Sequence, residues 1–282
     1  MKNRKVKYSL LLTAGKVASY IIYVLVRFVL RYRFDVLKKN FENSFPQKSE
    51  AEINVLIKTY YRHLGDLMVE PVLFALASPA TRKRLATYSN KEMLEQLRGK
   101  DKHTILLASH MGNWEYLINL PQEIDFKVYT AYSPISNRRI DSWMLKMRSM
   151  LGVTVIAKKY FYRKALSVLK GGGNPAMVVV IADQRPAPGS IKHIIQFMGQ
   201  KTNVQIGAER LAQATNAAVL YLTCTKVAQF HYNYSFSLLT ETPEQCTPLE
   251  ITTNYYKRME RDITSQPSNW LWSHKRWKPV PA

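Results

Sequence analysis

From residue 103 onward, short β-rich runs alternate with amphipathic helical stretches, and few architectures accept that order. The apolar runs His103–Ala108, Phe126–Ala131, Val153–Ile156, Ala176–Ala182, Ala217–Thr225 and Tyr232–Leu239 read as strands. Between and after them, Gly112–Leu120, Arg138–Met150, Phe161–Leu169, Asn203–Thr215 and Glu250–Thr264 read as helices. Alternation of this kind predicts an α/β fold around a central, mostly parallel or mixed sheet flanked by helices. The 282 residues suit one domain with an extra terminal element, with no internal repeat and no long linker.

The part before residue 100 reads differently. Residues 35–78 have the pattern of a helical pair interrupted at Pro46. Ser49 and Glu52 form the signature of a capping box, followed by helical apolar spacing through Ile53, Leu56, Ile57, Tyr60, Tyr61 and Leu64. Glu70-Pro71 is expected to break or kink that helix. Residues 1–40 hold ten basic residues and one acid around the apolar stretch Val17–Leu30. No small-residue cleavage site follows, so a signal peptide does not fit. Those fourteen residues, broken by Arg27, span about 21 Å, short of a hydrocarbon core about 30 Å thick. A basic, aromatic-rich helix lying in the membrane interface fits better. The expected division is thus a membrane-associated helix over 1–40 and a larger unit over 41–282, helical to 100 and α/β from 101.

Charge narrows the partners. Forty-one basic against twenty acidic residues give +21, a field that attracts nucleic acid, an anionic leaflet, a phosphorylated lipid or an acidic carrier protein. Cys224 and Cys246 form no Cys-x-x-Cys pair, and no His/Cys cluster has metal-ligand spacing, so no metal is expected and a reducing compartment is the simpler reading. Trp270, Trp272 and Trp277 lie among His274, Lys275, Arg276 and Lys278. That mixture suits a membrane interface, base stacking or a helix packed on the core.

One segment carries chemistry. Thr104–Ala108 reads as a buried strand, Ser109-His110 follows it, and Met-Gly-Asn-Trp-Glu115 opens a helix. Active sites in open α/β sheets gather at the carboxyl ends of strands. On one helix, side chains five positions apart diverge by about 140°. His110 is therefore expected in the turn, with Glu115 reaching back to one imidazole nitrogen and leaving the other free as a general base. The spacing alone also describes a surface His beside a Glu favoured by a helix amino terminus.

The ordered set of motifs across nearly the whole chain resembles the bacterial lipid A late acyltransferases, within the lysophospholipid acyltransferase superfamily. The matching segments are Val36-Leu-Lys-Lys-Asn-Phe-Glu-Asn-Ser-Phe-Pro46, His110–Glu115, Tyr132-Ser-Pro134 leading to Arg148, Ala182-Asp-Gln184, Gln196-Phe-Met-Gly199, Asn203–Ala218 and Trp270–Lys278. The resemblance implies transfer of a fatty acyl group from acyl carrier protein, or from acyl-CoA, to a hydroxyl of a lipid A precursor, with no cofactor. It implies work at the cytoplasmic face of the inner membrane, with no nucleic acid. His110 corresponds to the catalytic base and Glu115 to its partner. Arg148 and Asp183 match the family's other important polar positions: Arg148 to hold a phosphate or the phosphopantetheine, Asp183 to orient the acceptor or pair with a base such as Arg148. Asn113, Arg138 and Arg139 complete the expected substrate contacts. Ser133 stands where many members carry a basic residue, which leaves the acceptor open to another glycolipid, a phospholipid or an aminolipid. A membrane or nucleic-acid binder that keeps the fold without catalysis is the other reading of the same charge.

Overall fold

The computed structural model describes residues 2–186 and 193–277. Helix α1 (Lys2–Val24) continues into a π-helical turn, Leu25–Val29, and is followed by α2 (Phe34–Ser44), α3 (Glu50–Leu76) and α4 (Pro79–Leu85). Next come β1 (Ala86–Ser89), α5 (Glu92–Gly99), β2 (Thr104–Ala108), a 3₁₀ helix Trp114–Gln122, β3 (Lys127–Tyr132), α6 (Arg138–Ser149), β4 (Thr154–Ala157) and α7 (Lys158–Lys170). The chain then runs through β5 (Ala176–Ile181), β6 (His193–Phe197), β7 (Gln200–Val204), α8 (Gly207–Thr215), β8 (Ala218–Ala228), β9 (His231–Thr240) and α9 (Glu250–Ser265).

Seven strands form one sheet in the order β1-β9-β8-β2-β5-β3-β4. Pairing is parallel except between β8 and β9. This is the α/β architecture the alternation predicts. The reason is legible in the strands: β2 is buried along its whole length and β5 over Ala176–Val179, as strands covered on both faces must be. In β9, by contrast, Tyr232, Tyr234 and Phe236 are buried while His231, Asn233 and Ser235 are half-buried. Two apolar clusters cover the two faces of the sheet.

Local chemistry explains the departures from the expected elements. β1 lies in the stretch read as purely helical; four residues give too short a run for a periodic signal. The hairpin β6–β7 occupies 193–204, so the helix expected from Asn203 starts only at Gly207. Its two-residue loop is Met198-Gly199, both with positive φ (51° and 70°), the geometry that closes tight hairpins. The helix expected from Gly112 begins instead at Trp114, as a 3₁₀ helix, because Gly112 is left-handed and Asn113 extended. The capping box of Ser49 and Glu52 is present, but Pro71 does not end α3, which runs on to Leu76. Packing on both sides of α3 outweighs one missing amide hydrogen bond.

Helix α1 lies along α3, and Gly65 is what lets it: a Cβ there would sit 2.6 Å from the Ser19 carbonyl oxygen. Outward, Val17, Ile21, Leu25, Phe28, Val29 and Leu30 stay exposed. The apolar helical stretch is Tyr8–Val29, longer than the fourteen residues expected, and by length and composition enough to cross a membrane. At the other end, Trp270 and Trp272 are buried with Arg276, so this segment is core and not a stacking surface. Lys278, the last residue of that motif, lies outside the described residues.

Candidate active site

β2 and β5 are parallel neighbours whose last residues, Ala108 and Ile181, are register partners. Two residues beyond each strand the chain carries His110 and Asp183. Register alone therefore brings them together at the carboxyl edge of the sheet. The imidazole Nδ1 lies 2.6 Å from Asp183 Oδ1, and the His110 backbone N–H donates to Asp183 Oδ2 at 2.9 Å. Trp270 Nε1–H donates to that same oxygen at 2.8 Å. Asp183 is 1 % exposed. Burial by itself would raise its carboxyl, but the neighbouring His110 and these three hydrogen bonds hold it below its ordinary value. An ionised acceptor keeps the proton on Nδ1 and turns the lone pair of Nε2 outward. There Gln184 Nε2 meets it at 3.1 Å.

The expected partner of His110 is Glu115, and the structure places that carboxylate elsewhere. Glu115 sits on the first turn of the 3₁₀ helix and takes Arg148 in a two-pronged contact, from Nε at 2.9 Å and Nη2 at 2.5 Å. The pair is mostly buried, so burial draws the Arg148 guanidinium down and Glu115 more than restores it. The two carboxylates have thus exchanged the partners expected of them. Sequence separation is the reason: Glu115 is near in the chain, but a left-handed Gly112 and an extended Asn113 swing it to face α6, while Asp183 arrives beside His110 through strand pairing.

The turn 110–112 is clamped by a distant segment. Gly112 N–H donates to Asn269 O at 2.8 Å, and Leu271 N–H donates to His110 O at 3.1 Å. Gly112 has φ of 60°, and a Cβ there would collide with Cys224 Sγ. Its amide is spent in this clamp and is not free to serve a developing oxyanion. Asn113, expected to touch substrate, is fully buried: its Nδ2 donates to Glu70 Oε2 at 2.6 Å, and its Oδ1 caps the Glu115 N–H at 2.8 Å. Glu70 also accepts from Tyr232 OH at 2.8 Å. Burial pushes the Glu70 carboxyl up to about 7.

A cavity of about 410 Å³ opens beside His110, with His110, Glu115, Arg148 and Gln184 along its polar part. Its walls include Leu117, Ile118, Val128, Val153, Phe161 and Val179. Its lining suits an apolar chain whose head lies at the imidazole. Arg138 and Arg139 are exposed at the start of α6 and do not line it. Sequence reasoning gave no role to Gln184, nor to Trp270 as a partner of Asp183. It also missed Glu70, although Asp66 and Glu70, four apart in an otherwise apolar helical run, were a visible signal.

Comparison with known proteins identifies the family. The family model described as bacterial lipid A biosynthesis acyltransferase matches residues 8–279. The chain is similar to the lipid A biosynthesis palmitoleoyltransferase of Escherichia coli (strain K12), with 21 % identity over 257 residues, covering 90 % of this chain and 81 % of that one. The lipid A biosynthesis acyltransferase of Shigella flexneri matches with the same identity and coverage. A half-buried histidine beside an apolar cavity, held from behind by a buried aspartate, is chemistry that such an activity can use, and the chain belongs to the bacterial lipid A biosynthesis acyltransferase family.

Proposed function

We propose that this acyltransferase moves a fatty acyl group from acyl carrier protein to a hydroxyl of a lipid A precursor, with His110 as general base. The carrying observation is the His110 imidazole, fixed through Nδ1 by buried Asp183, with Nε2 facing the apolar cavity and Gln184 as its neighbour there. Among the described residues no serine or cysteine is hydrogen-bonded to that nitrogen. This supports direct transfer without an acyl-enzyme.

In the proposed step the acyl chain fills the cavity and its thioester carbonyl lies at Nε2. The acceptor oxygen attacks as His110 takes its proton; the new C–O bond forms, the C–S bond breaks, and His110 returns the proton to the leaving thiolate. Such base catalysis is typically worth about 10²–10⁴-fold. With the Gly112 amide committed, the Gln184 carboxamide is the donor best placed for the oxyanion. The Glu115–Arg148 pair lines the same cavity. The exposed apolar face of α1 and the charge of +21 support seating on the anionic cytoplasmic face of the inner membrane.

The test is lipid A mass spectrometry with and without the gene, together with purified protein given acyl carrier thioester and a lipid A precursor. One acyl chain fewer in the deletion strain is expected, and an unchanged acyl count rejects this acceptor. Ser133, and an Arg148 already held by Glu115, favour a second reading in which another glycolipid or an aminolipid accepts the chain. The cavity makes its own prediction. Val179→Phe fills it, so kcat/KM for long-chain donors should fall about tenfold relative to short-chain donors. An unchanged preference would mean that the acyl chain lies elsewhere.

A further inference from the structure

Helix α7 carries Lys158, Lys159, Arg163, Lys164 and Lys170 and no acidic residue. At 100° per residue, Lys159, Arg163 and Lys170 fall within a stripe roughly 40° wide and about 16 Å long. Tyr160 and Lys164 flank it, and all five side chains are exposed. Among the described residues none of these cations is paired with a carboxylate. The opposite side of the helix is anchored: Ala165 and Leu169 are buried in the core. Phe161 and Lys158, on the inward side of the first turn, line the cavity beside His110, so the stripe is the outward face of a helix whose amino-terminal turn borders the cavity.

Two kinds of anionic surface could meet such a stripe, a lipid headgroup layer or an acidic protein. The helix discriminates between them. Its exposed large apolar side chains are Tyr160 and Tyr162, with no exposed aliphatic residue, whereas α1 and the turn after it expose Leu10, Val17, Ile21, Leu25, Val29 and Leu30. A helix immersed in a bilayer needs such an aliphatic face; a hydrated cationic stripe matches a hydrated acidic one.

We infer that the outward stripe of Lys159, Arg163 and Lys170 docks the acidic carrier protein that delivers the acyl chain into the adjacent cavity. The inference rests on the carrier-donor reading above. Docking by exposed charges governs encounter and specificity more than the chemical step, so its signature lies in KM and salt dependence.

The experiment compares full-length wild type with the variant Lys159→Glu/Arg163→Glu/Lys170→Glu, using acyl carrier protein thioester and acyl-pantetheine as donors. For the variant, KM for the carrier donor is expected to rise about tenfold or more. Its kcat and its kinetics with acyl-pantetheine should match wild type, which also shows that the fold and the site are intact. Raising ionic strength should raise the wild-type KM for the carrier and leave that of the variant nearly flat. An unchanged carrier KM overturns the inference. So does lost pelleting with phosphatidylglycerol–phosphatidylethanolamine vesicles at unchanged carrier KM, because the stripe would then serve lipid. A wild type that turns over acyl-CoA and ignores the carrier thioester overturns the donor reading itself, and is recognised before any variant is made.

Discussion

Asp183→Asn is expected to lower kcat by about 10²–10⁴-fold while the protein stays folded. The amide keeps the shape of the carboxylate. Its oxygen can still accept from Trp270 Nε1 and from the His110 backbone, which meet at one oxygen. The amide nitrogen must then face His110 Nδ1 as a donor. Nδ1 becomes the acceptor, the proton moves to Nε2, and the nitrogen facing the cavity can no longer take a proton from a hydroxyl. His110→Ala should lose about as much, since base and orienting partner act as one unit. Glu115→Ala should lose less, because Glu115 holds Arg148 and not the imidazole. Single-turnover rates with a carrier-linked donor decide the matter. Near-normal turnover by Asp183→Asn would remove His110 from the role of base.

The second large effect concerns the buried pair beneath the site. Glu70→Gln turns an acceptor into a second amide facing Asn113 Nδ2, and Asn113→Asp sets two carboxylates at hydrogen-bond distance. Each single change should cost about 1–3 kcal/mol in denaturant unfolding, with turnover falling alongside as the turn carrying Trp114 and Glu115 loosens. Combined, they invert the pair: the new carboxamide at position 70 would donate to the new carboxylate at position 113, which still accepts from the Glu115 N–H. The double variant should therefore recover most of both losses, and failure to recover would show that the pair does not act through this hydrogen bond. Acidity adds a separate signature. Burial raises the folded Glu70 value to about 7 from an ordinary 4.5, so between those values the folded state holds the extra proton. Its share of stability is complete below about 4.5 and is lost as pH rises through about 7. That slope should vanish in Glu70→Gln.

Much of this is legible in the residues. Continuous apolar runs such as Thr104–Ala108 and Ala176–Ile181 announce covered parallel strands, and the same runs place His110 and Asp183 just past their ends. What one-dimensional spacing does not carry is lateral order in the sheet. Nothing in the chain says that β5 lies beside β2, so spacing alone assigns the nearer Glu115 to the imidazole and Asp183 to another role. The left-handed Gly112 is a second hidden determinant: a glycine is visible, but the sulfur and the tyrosine that exclude a Cβ there come from β8 and β9. The tryptophans near the carboxyl end resemble an interfacial belt because aromatic and basic residues alternate there. Burial of Trp270, Trp272 and Arg276 follows from contacts with strands and helices far away in sequence.

The clamp formed by Asn269, Trp270 and Leu271 has a consequence for biogenesis. Asp183 must wait for a partner 87 residues downstream, and the His110 turn gains its two backbone ties from the same late segment. A nascent chain can pair β2 with β5 while still on the ribosome, yet its His–Asp pair has neither its indole donor nor its braced turn until residue 271 has emerged. Activity is thereby tied to synthesis past residue 271, and a truncated product that keeps every strand of the sheet would present the cavity with a His–Asp pair that lacks its indole donor and its braced turn.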